Sequence, residues 1–362
     1  MKRFFALIVS SLLFWIMADA QRRVVDVVDD KPVSSAIVFD AEGNVVGFTT
    51  SDGDFSKIAD ADYPITIRCI GYENIVVAEP KDTVLQMIPT IYELEEAVVS
   101  ASREVMKQTF YVREYFTVSS ATDTVTHFIE HMCDRYVPAS KKVKFKKNDL
   151  CNRNTRSYKF YHIDGKDSLA VSDKSNSIAL LSLLNIDEVD AIKSFDGQMG
   201  VNKVYEKKGK SGILLSHKQN LNTFTEFKDG LASEKDHIGH LPWVFKMMGF
   251  AMDVKQCYKT QIFNANDALV YKPKDLIQAG IVFEAIGKGK YLRQLVNSEE
   301  PVDMHIAIEY YVVSREYISK EQAKEEYKSK TLKVPFDIPT SVPQLSKAMR
   351  QLVERAKQTV KR

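Results

Sequence analysis

His127, Glu130, His131 and Asp134 fall within the run TDTVTHFIEHMCDRY at 122–136. They stand at i, i+3, i+4 and i+7, so on an α-helix all four would share one stripe. Two imidazoles and two carboxylates so placed could hold a divalent metal through His127, Glu130 and His131, and would serve a metal-dependent hydrolase. His237 or His240 would bring a third imidazole from far along the chain. The order His-Glu-x-x-His, which seats a general base beside a zinc, does not occur. The simpler reading of the four residues is the solvated polar face of an amphipathic helix, and it implies no metal, no cofactor and no catalytic residue.

Other catalytic signatures are missing from the sequence. It has no Gly-x-Ser-x-Gly elbow, no phosphate-cradling Gly-x-x-x-x-Gly-Lys-Ser/Thr loop and no dinucleotide fingerprint. Gly287, Lys288, Gly289 and Lys290 read as a turn between polar strands, without the strand-to-helix context of a phosphate loop. Scattered carboxylates leave a glycosidase pair open. Tyr111, Tyr115, Phe116 and Tyr158 would stack on sugar rings if exposed, although aromatic strands more often feed a core. The run KKVKFKK at 141–147 sets Val143 and Phe145 against Lys142, Lys144 and Lys146. That spacing predicts an amphipathic strand whose charged face guards an edge or meets an anionic partner such as lipopolysaccharide or an acidic glycan.

The elements that must position these residues follow from periodicity. Val125, Phe128, Met132 and Tyr136 predict a helix over 122–136, stopped by Pro138. Further helices are predicted at 176–195, at 240–253 with Pro242 in its first turn and Met247, Met248 and Met252 as core filling, and at 314–330. Strands are predicted at 103–117, 203–207, 212–217, 223–227, 280–286 and 304–313. Residues 103–334 therefore read as an α+β domain, a curved antiparallel sheet with two or three helices on one face. Residues 335–343 carry three prolines and read as a linker. The last helix, 343–362, would align Leu345, Met349, Leu352, Ala356 and Val360, with a basic opposite face. Docking on its own domain is the preferred reading over an anionic membrane surface or a partner.

Lys2 and Arg3, the apolar run 4–17 and Ala18-Asp19-Ala20 predict a signal peptide over 1–20, cleaved before Gln21. The remaining chain has 48 basic and 47 acidic residues, so its bulk charge implies no nucleic-acid partner. In an oxidising compartment Cys69, Cys133, Cys151 and Cys257 could form disulfides. Cys133 with Cys151 is the most local pairing, and unpaired thiols are the alternative. No Cys-x-x-Cys occurs.

Residues 21–102 show short strands, frequent turns and no helical period. Asp52-Gly53 is a strong hairpin signal, and about seven strands predict an antiparallel β-sandwich. Its motifs run Val25-Asp26 with Lys31-Pro32-Val33 and Ala36, then Gly47-Phe48-Thr49-Thr50 with Asp52-Gly53 and Phe55. Ile70-Gly71-Tyr72 follows, and last comes the segment from Leu94 to Ala101. In this combination the segment resembles the carboxypeptidase-regulatory-like domain, a transthyretin-like sandwich of exported proteins in Bacteroidetes-type bacteria. The resemblance implies a binding or spacer module without catalytic residues. His127-x-x-Glu130 also matches the ligand pair of zinc carboxypeptidases, but that family's second motif is absent. The stretch 97–101 could be an edge strand that accepts a partner strand, although pairing within its own sheet is the preferred reading.

These features lead to an exported, non-enzymatic binding or assembly protein of the cell envelope. It would sit in the periplasm or on the periplasmic face of the outer membrane, with a protein, lipid or glycan partner. An envelope-polymer hydrolase and a glycan-binding accessory protein are the alternatives.

Overall fold

The computed structural model describes residues 22–81, 83–90, 98–99, 104–140, 142–145, 150–172, 201–207, 210–216, 222–228, 231–237, 243–247, 250–264, 276–296, 298–329, 334 and 336–360. The expected signal peptide and the expected helix at 176–195 lie outside them. The chain is mostly β and divides into two compact units. One contains residues up to 89 apart from 42–45, and the second contains those four residues and everything from 90 onward.

The first unit is built from β1 (Arg23–Asp26), β2 (Ile37–Phe39), β3 (Val45–Phe48), β4 (Ile65–Arg68), β5 (Ile75–Val77) and β6 (Val84–Met87). Four strands make one sheet in the order β3-β2-β4-β5, and β1 pairs with β6 in a second. The β1–β6 pair is parallel, where sequence reading predicts antiparallel strands throughout. One apolar core joins both sheets: Val24 and Met87 from the pair, Val38, Ile65 and Ile67 from the four strands, and Phe55 from the turn region. Gly53 shows why the Asp52-Gly53 turn needs glycine. Its φ is +74°, and a Cβ there would sit 2.3 Å from the Val24 carbonyl oxygen.

The second unit is organised by one large sheet. Its strands are β7 (Val98–Val99), β8 (Val105–Ser119), β9 (Thr124–Pro138), β10 (Cys151–Ile163), β11 (Lys166–Ser172), β12 (Val201–Lys207), β13 (Lys210–Ser216), β14 (Asn222–Lys228), β15 (Leu231–His237), β16 (Trp243–Met247), β17 (Phe250–Asn264), β18 (Leu276–Lys288) and β19 (Val302–Ile318). The order is β11-β10-β9-β8-β19-β18-β17-β15-β14-β13-β12. The first and last long strands, β8 and β19, pair at its centre, and the chain meanders outward from them on both sides. β15 and β16 pair with successive halves of β17, so they act as one interrupted strand. β7 pairs in parallel with Glu316 and Tyr317 of β19. Val98 and Val99 thus belong to this sheet and not to that of the first unit.

The run 122–136 is a strand, β9, and not a helix. It pairs along its length with β8 and β10, and both of its faces are buried. A strand covered on both faces loses polar–apolar alternation, so a helical spacing can arise by coincidence. Val125 faces one side of the sheet, while Phe128, Met132 and Tyr136 face the other. Its β-branched and aromatic residues then decide for strand. The run 240–253 is likewise no helix where it is described. Its described residues form β16 and the start of β17, with Met247 opposite Phe250. Met252 does fill core, fully buried; Met248 lies outside the described residues. The predicted helix over 314–330 is shorter than expected. β19 continues to Ile318, and Ser319 then caps a helix by accepting from the Gln322 amide at 3.1 Å. The lysine run is no strand among its described residues. Lys142 and Lys144 are exposed and Phe145 is buried, but 142–145 form a turn.

Three helices follow in the described residues: α1 (Lys290–Leu295), α2 (Lys320–Lys328) and α3 (Lys347–Val360). α1 directly follows β18, so the Gly-Lys-Gly-Lys stretch does have a strand-to-helix context, although the helix has only six residues. Helices lie on both faces of the sheet, where one face was expected. Leu292 of α1 joins one apolar cluster with Phe110, Ile281, Phe283, Met304 and Ile306. Ala323 of α2 joins a cluster on the opposite face with Val105, Tyr136 and Ile318. Each fully buried Phe or Ile in these clusters contributes about 1.5–3 kcal/mol. The proline-bearing stretch before α3 is docked and not a free linker, with Phe336, Val342 and Leu345 buried. α3 buries Met349, Val353 and Ala356 and exposes Lys347, Arg350 and Arg355. It packs against β11 of its own unit. The apolar face predicted for it is therefore used, with Val353 in the fully buried position and Leu352 only partly buried.

Candidate binding face of the long sheet

Strand geometry separates the four residues that helical spacing would gather. Side chains alternate across a sheet, so His127 and His131 share one face, here face A, while Glu130 and Asp134 share the opposite face B. Among the described residues, no group of three or more His, Cys, Asp or Glu side chains is placed to hold a metal ion. The side chain of His237 and the whole of His240 lie outside the described residues.

On face A the two histidines sit in a small polar island within the apolar cluster. His131 Nε2 meets Glu114 Oε1 at 2.8 Å, and its Nδ1 lies 3.2 Å from Asn152 Nδ2 and 3.1 Å from Thr155 Oγ1. With the Asn152 amide donating to Nδ1, the proton sits on Nε2 and is donated to Glu114. His127 Nε2 lies 2.6 Å from Ser157 Oγ. Burial, with smaller contributions from Lys159 and His131, pushes the His127 pKa down to about 4, so this imidazole is neutral. A Ser–His contact of that length is the start of a nucleophile–base pair. Here Ser157 is only 2% exposed, and the carboxylate of Glu114 is committed to the other histidine. The island therefore works as a hydrogen-bonded support of the sheet.

Face B carries the more unusual arrangement. In register across β19, β8, β9 and β10 stand Glu309, Arg113, Glu130 and Arg156, alternating in sign. Gly280 of β18 stands in register beside Glu309. On one side of the row lie Tyr311, Tyr111 and Met132, on the other Tyr115, Phe128 and Tyr158. Tyr115 and Phe128 have ring centroids 5.0 Å apart, and Phe128 and Tyr158 are 5.9 Å apart. The Tyr111 hydroxyl donates to Glu130 Oε1 in a short hydrogen bond. The Arg113 guanidinium lies 5.1 Å from the Tyr111 ring centroid and 5.8 Å from that of Tyr311. Burial raises the pKa of Tyr111, and that of Tyr158 to about 12, so both hydroxyls stay protonated. Tyr111, Tyr115 and Tyr158 are buried and Phe116 is half-buried on face A. They offer no exposed platform for a sugar.

The charged side chains of face B are turned toward the C-terminal part of the chain. Arg113 Nη1 donates to the Pro343 carbonyl at 2.6 Å. Asn154 Nδ2 donates to the Val334 carbonyl at 3.2 Å. Arg153, at a bulge of β10, donates from Nη1 to the Ser329 carbonyl and from Nη2 to the Glu326 carbonyl, both at 2.9 Å. Its Nε reaches Asp134 Oδ2 at 2.8 Å, and Thr109 Oγ1 donates to the other Asp134 oxygen at 2.8 Å. Lys107 meets Glu316 at 2.9 Å and Glu326 at 3.0 Å. Burial opposes the charge of Glu326, but hydrogen bonds from Gln322, Lys107 and Tyr136 lower its pKa. Phe336 enters the cluster of Tyr111, Met132, Ile277, Tyr311 and Val342, with the Arg156 guanidinium 4.2 Å from its ring centroid. The sheet thus holds the chain before α3 at the Val334 and Pro343 carbonyls and at the Phe336 ring, while Arg153 caps the C-terminal end of α2.

Of the sequence-predicted site, Glu130 and Asp134 belong to this face, while His127 and His131 belong to the other. Arg113, Arg153, Asn154 and Glu309 were missed. A signal was present for Arg113: the odd positions of β8 from 109 to 117 read Thr, Tyr, Arg, Tyr, Thr, and a charge centred in an aromatic stripe marks a buried polar row. Cys133 and Cys151 also separate. Cys133 lies opposite Phe110 within the face A cluster, and Cys151 lies opposite Asp134 beside Tyr136 and Phe145. Neighbouring strands bring their backbones together but point the two thiols apart, which rules against that disulfide. Compared with known proteins, the chain matches no family and no curated protein.

Proposed function

We propose that this chain is an exported, non-enzymatic binding or assembly protein of the cell envelope, and that the partner it recognises is a polypeptide. The observation that carries the reading is the donation by Arg113 and Asn154 to the backbone carbonyls of Pro343 and Val334, outside any helix or strand. Side chains that address carbonyls recognise chain conformation and tolerate many sequences, as an assembly factor requires. Export rests on the basic start, apolar run and Ala-Asp-Ala site at 1–20. It places the protein in the periplasm or on the periplasmic face of the outer membrane. The first unit serves as a regulatory-like sandwich, a reading supported by the core shared between its two sheets. A metal-dependent hydrolase is disfavoured because His127 and His131 face away from Glu130 and Asp134.

The test is an in-cell crosslink. The mature protein is tagged at its C-terminus, the intact envelope is crosslinked, and the tagged species is purified under denaturing conditions. One envelope protein in near-stoichiometric yield supports the reading. Recovery of lipid or glycan adducts alone rejects it.

A further inference from the structure

We propose that the open edge of β6 in the first unit pairs antiparallel with β6 of a second copy of this chain, in a twofold interface centred on Leu85. The alternation of backbone bonds defines that edge. The Arg23 N–H donates to the Thr83 carbonyl and the Val27 N–H to the Met87 carbonyl, both at 3.1 Å. Residues 83, 85 and 87 therefore turn their backbone groups toward β1, and Val84, Gln86 and Ile88 turn theirs away from it. On that outer side the Ile88 carbonyl accepts from the Glu73 N–H at 2.9 Å, which closes one end of the edge. Among the described residues, no backbone group meets Val84 or Gln86 there. β6 reads Val-Leu-Gln-Met and carries none of the lysines, prolines or inward charges that guard an edge against pairing. Val84 and Gln86 are exposed, as are Val27 and Ile88 beside them, while Leu85 is half-buried against the core of the unit.

The length of the edge selects the occupant. Two outward-facing residues offer too few backbone bonds to hold a free peptide, since each bond contributes only about 0.5–1.5 kcal/mol. A second copy brings the same groups and the same aliphatic side chains, and a twofold axis uses every contact twice. With the axis at Leu85, Val84 exchanges both of its bonds with Gln86 of the second copy, Leu85 meets its own counterpart, and no charged residue of β6 opposes another. The β1–β6 pair, only two strands wide, becomes half of a four-stranded sheet. This interface stands apart from the polypeptide reading of face B, and neither depends on the other.

The test uses the full chain. Sedimentation velocity over a concentration series shows a monomer–dimer equilibrium for the wild type. Gln86→Pro removes an outward N–H without touching the ladder to β1, and weakens dimerisation at least about tenfold. Val84→Lys charges the edge to the same effect and serves if Gln86→Pro does not fold, as judged by circular dichroism. Leu85→Cys reads the register. Directly opposed residues of a non-hydrogen-bonded antiparallel pair have Cα atoms about 4.5 Å apart, within the disulfide range of about 4.4–6.8 Å, so mild oxidation joins two chains through position 85. Ile88→Cys is more exposed but stands about 20 Å from its counterpart in this register, and does not link. A wild-type chain that stays monomeric overturns the inference, and so does a dimer unchanged by whichever edge variants fold. Linking at 85 no greater than at 88 would show collision alone and would also overturn it.

Discussion

Arg113→Met tests the charged row where it is most exposed to error. Arg113 is fully buried, its stem is matched in length by Met, and its guanidinium is the cation between Glu309 and Glu130 in register. Its loss leaves two carboxylates inside the protein with one fewer positive neighbour and leaves the Pro343 carbonyl without its 2.6 Å donor. Losing a charged donor and leaving a buried carbonyl without its partner costs about 1.5–3 kcal/mol. With a urea slope of about 2 kcal/mol/M, the midpoint of the second unit falls by about 0.75–1.5 M. Neutralising a neighbour as well, in Arg113→Met with Glu130→Gln, removes part of the penalty. The double variant is then less destabilised than the sum of the singles by about 1–3 kcal/mol. The assay is equilibrium urea unfolding of all four proteins followed by tryptophan fluorescence and circular dichroism, with Arg350→Gln on the exposed face of α3 as a control expected within about 0.5 kcal/mol of wild type. A loss below about 1 kcal/mol for Arg113→Met, or strict additivity of the pair, would refute the idea that these residues form one electrostatic unit.

Acid should weaken the sheet through His127. Its folded pKa of about 4 lies below the ordinary 6.5, so the unfolded chain binds a proton that the folded chain does not. Stability is lost as pH falls from about 6.5 toward 4, and His127→Gln flattens that slope in denaturation series run across the range. Glu326, with its lowered pKa, adds to the loss at the acid end, because protonation ends its contacts with Lys107. Gly53→Ala should destabilise the first unit by about 1–3 kcal/mol or more, since φ is positive and its Cβ meets the Val24 carbonyl at 2.3 Å; calorimetry reads the shift. Oxidation of the folded protein should leave Cys133 and Cys151 unlinked, and non-reducing peptide mapping that found them joined would contradict the register of β9 and β10.

The legible parts of the sequence were those where local chemistry alone dictates shape. Asp52-Gly53 demands its turn, β8 alternates plainly enough to read as a strand, and the charged stretch within 314–330 favours a helix, although β19 takes its first residues to Ile318. β9 was illegible because both of its faces are covered by other parts of the chain, and that burial is decided by β8, β10 and the C-terminal segment, all distant in sequence. Once β9 is misread, the site goes with it. The same four residues that share a stripe on a helix split two and two on a strand. The charged row was hidden for a second reason. Its members lie at 113, 130, 156 and 309, and only strand register brings them into line. The proline-bearing stretch resembles a linker in composition, while Phe336 and the carbonyls it presents are meaningful only beside the donors of face B.

Recognition of a polypeptide at face B can be read from a photoreactive amino acid placed at Ile338 in living cells. That side chain is exposed at the middle of the docked segment. Glu299, exposed in the turn before β19, is the control position. A protein adduct is expected from position 338, absent from position 299 and strengthened by Val342→Ala. Adducts of equal yield from both positions, or from 299 alone, would contradict it.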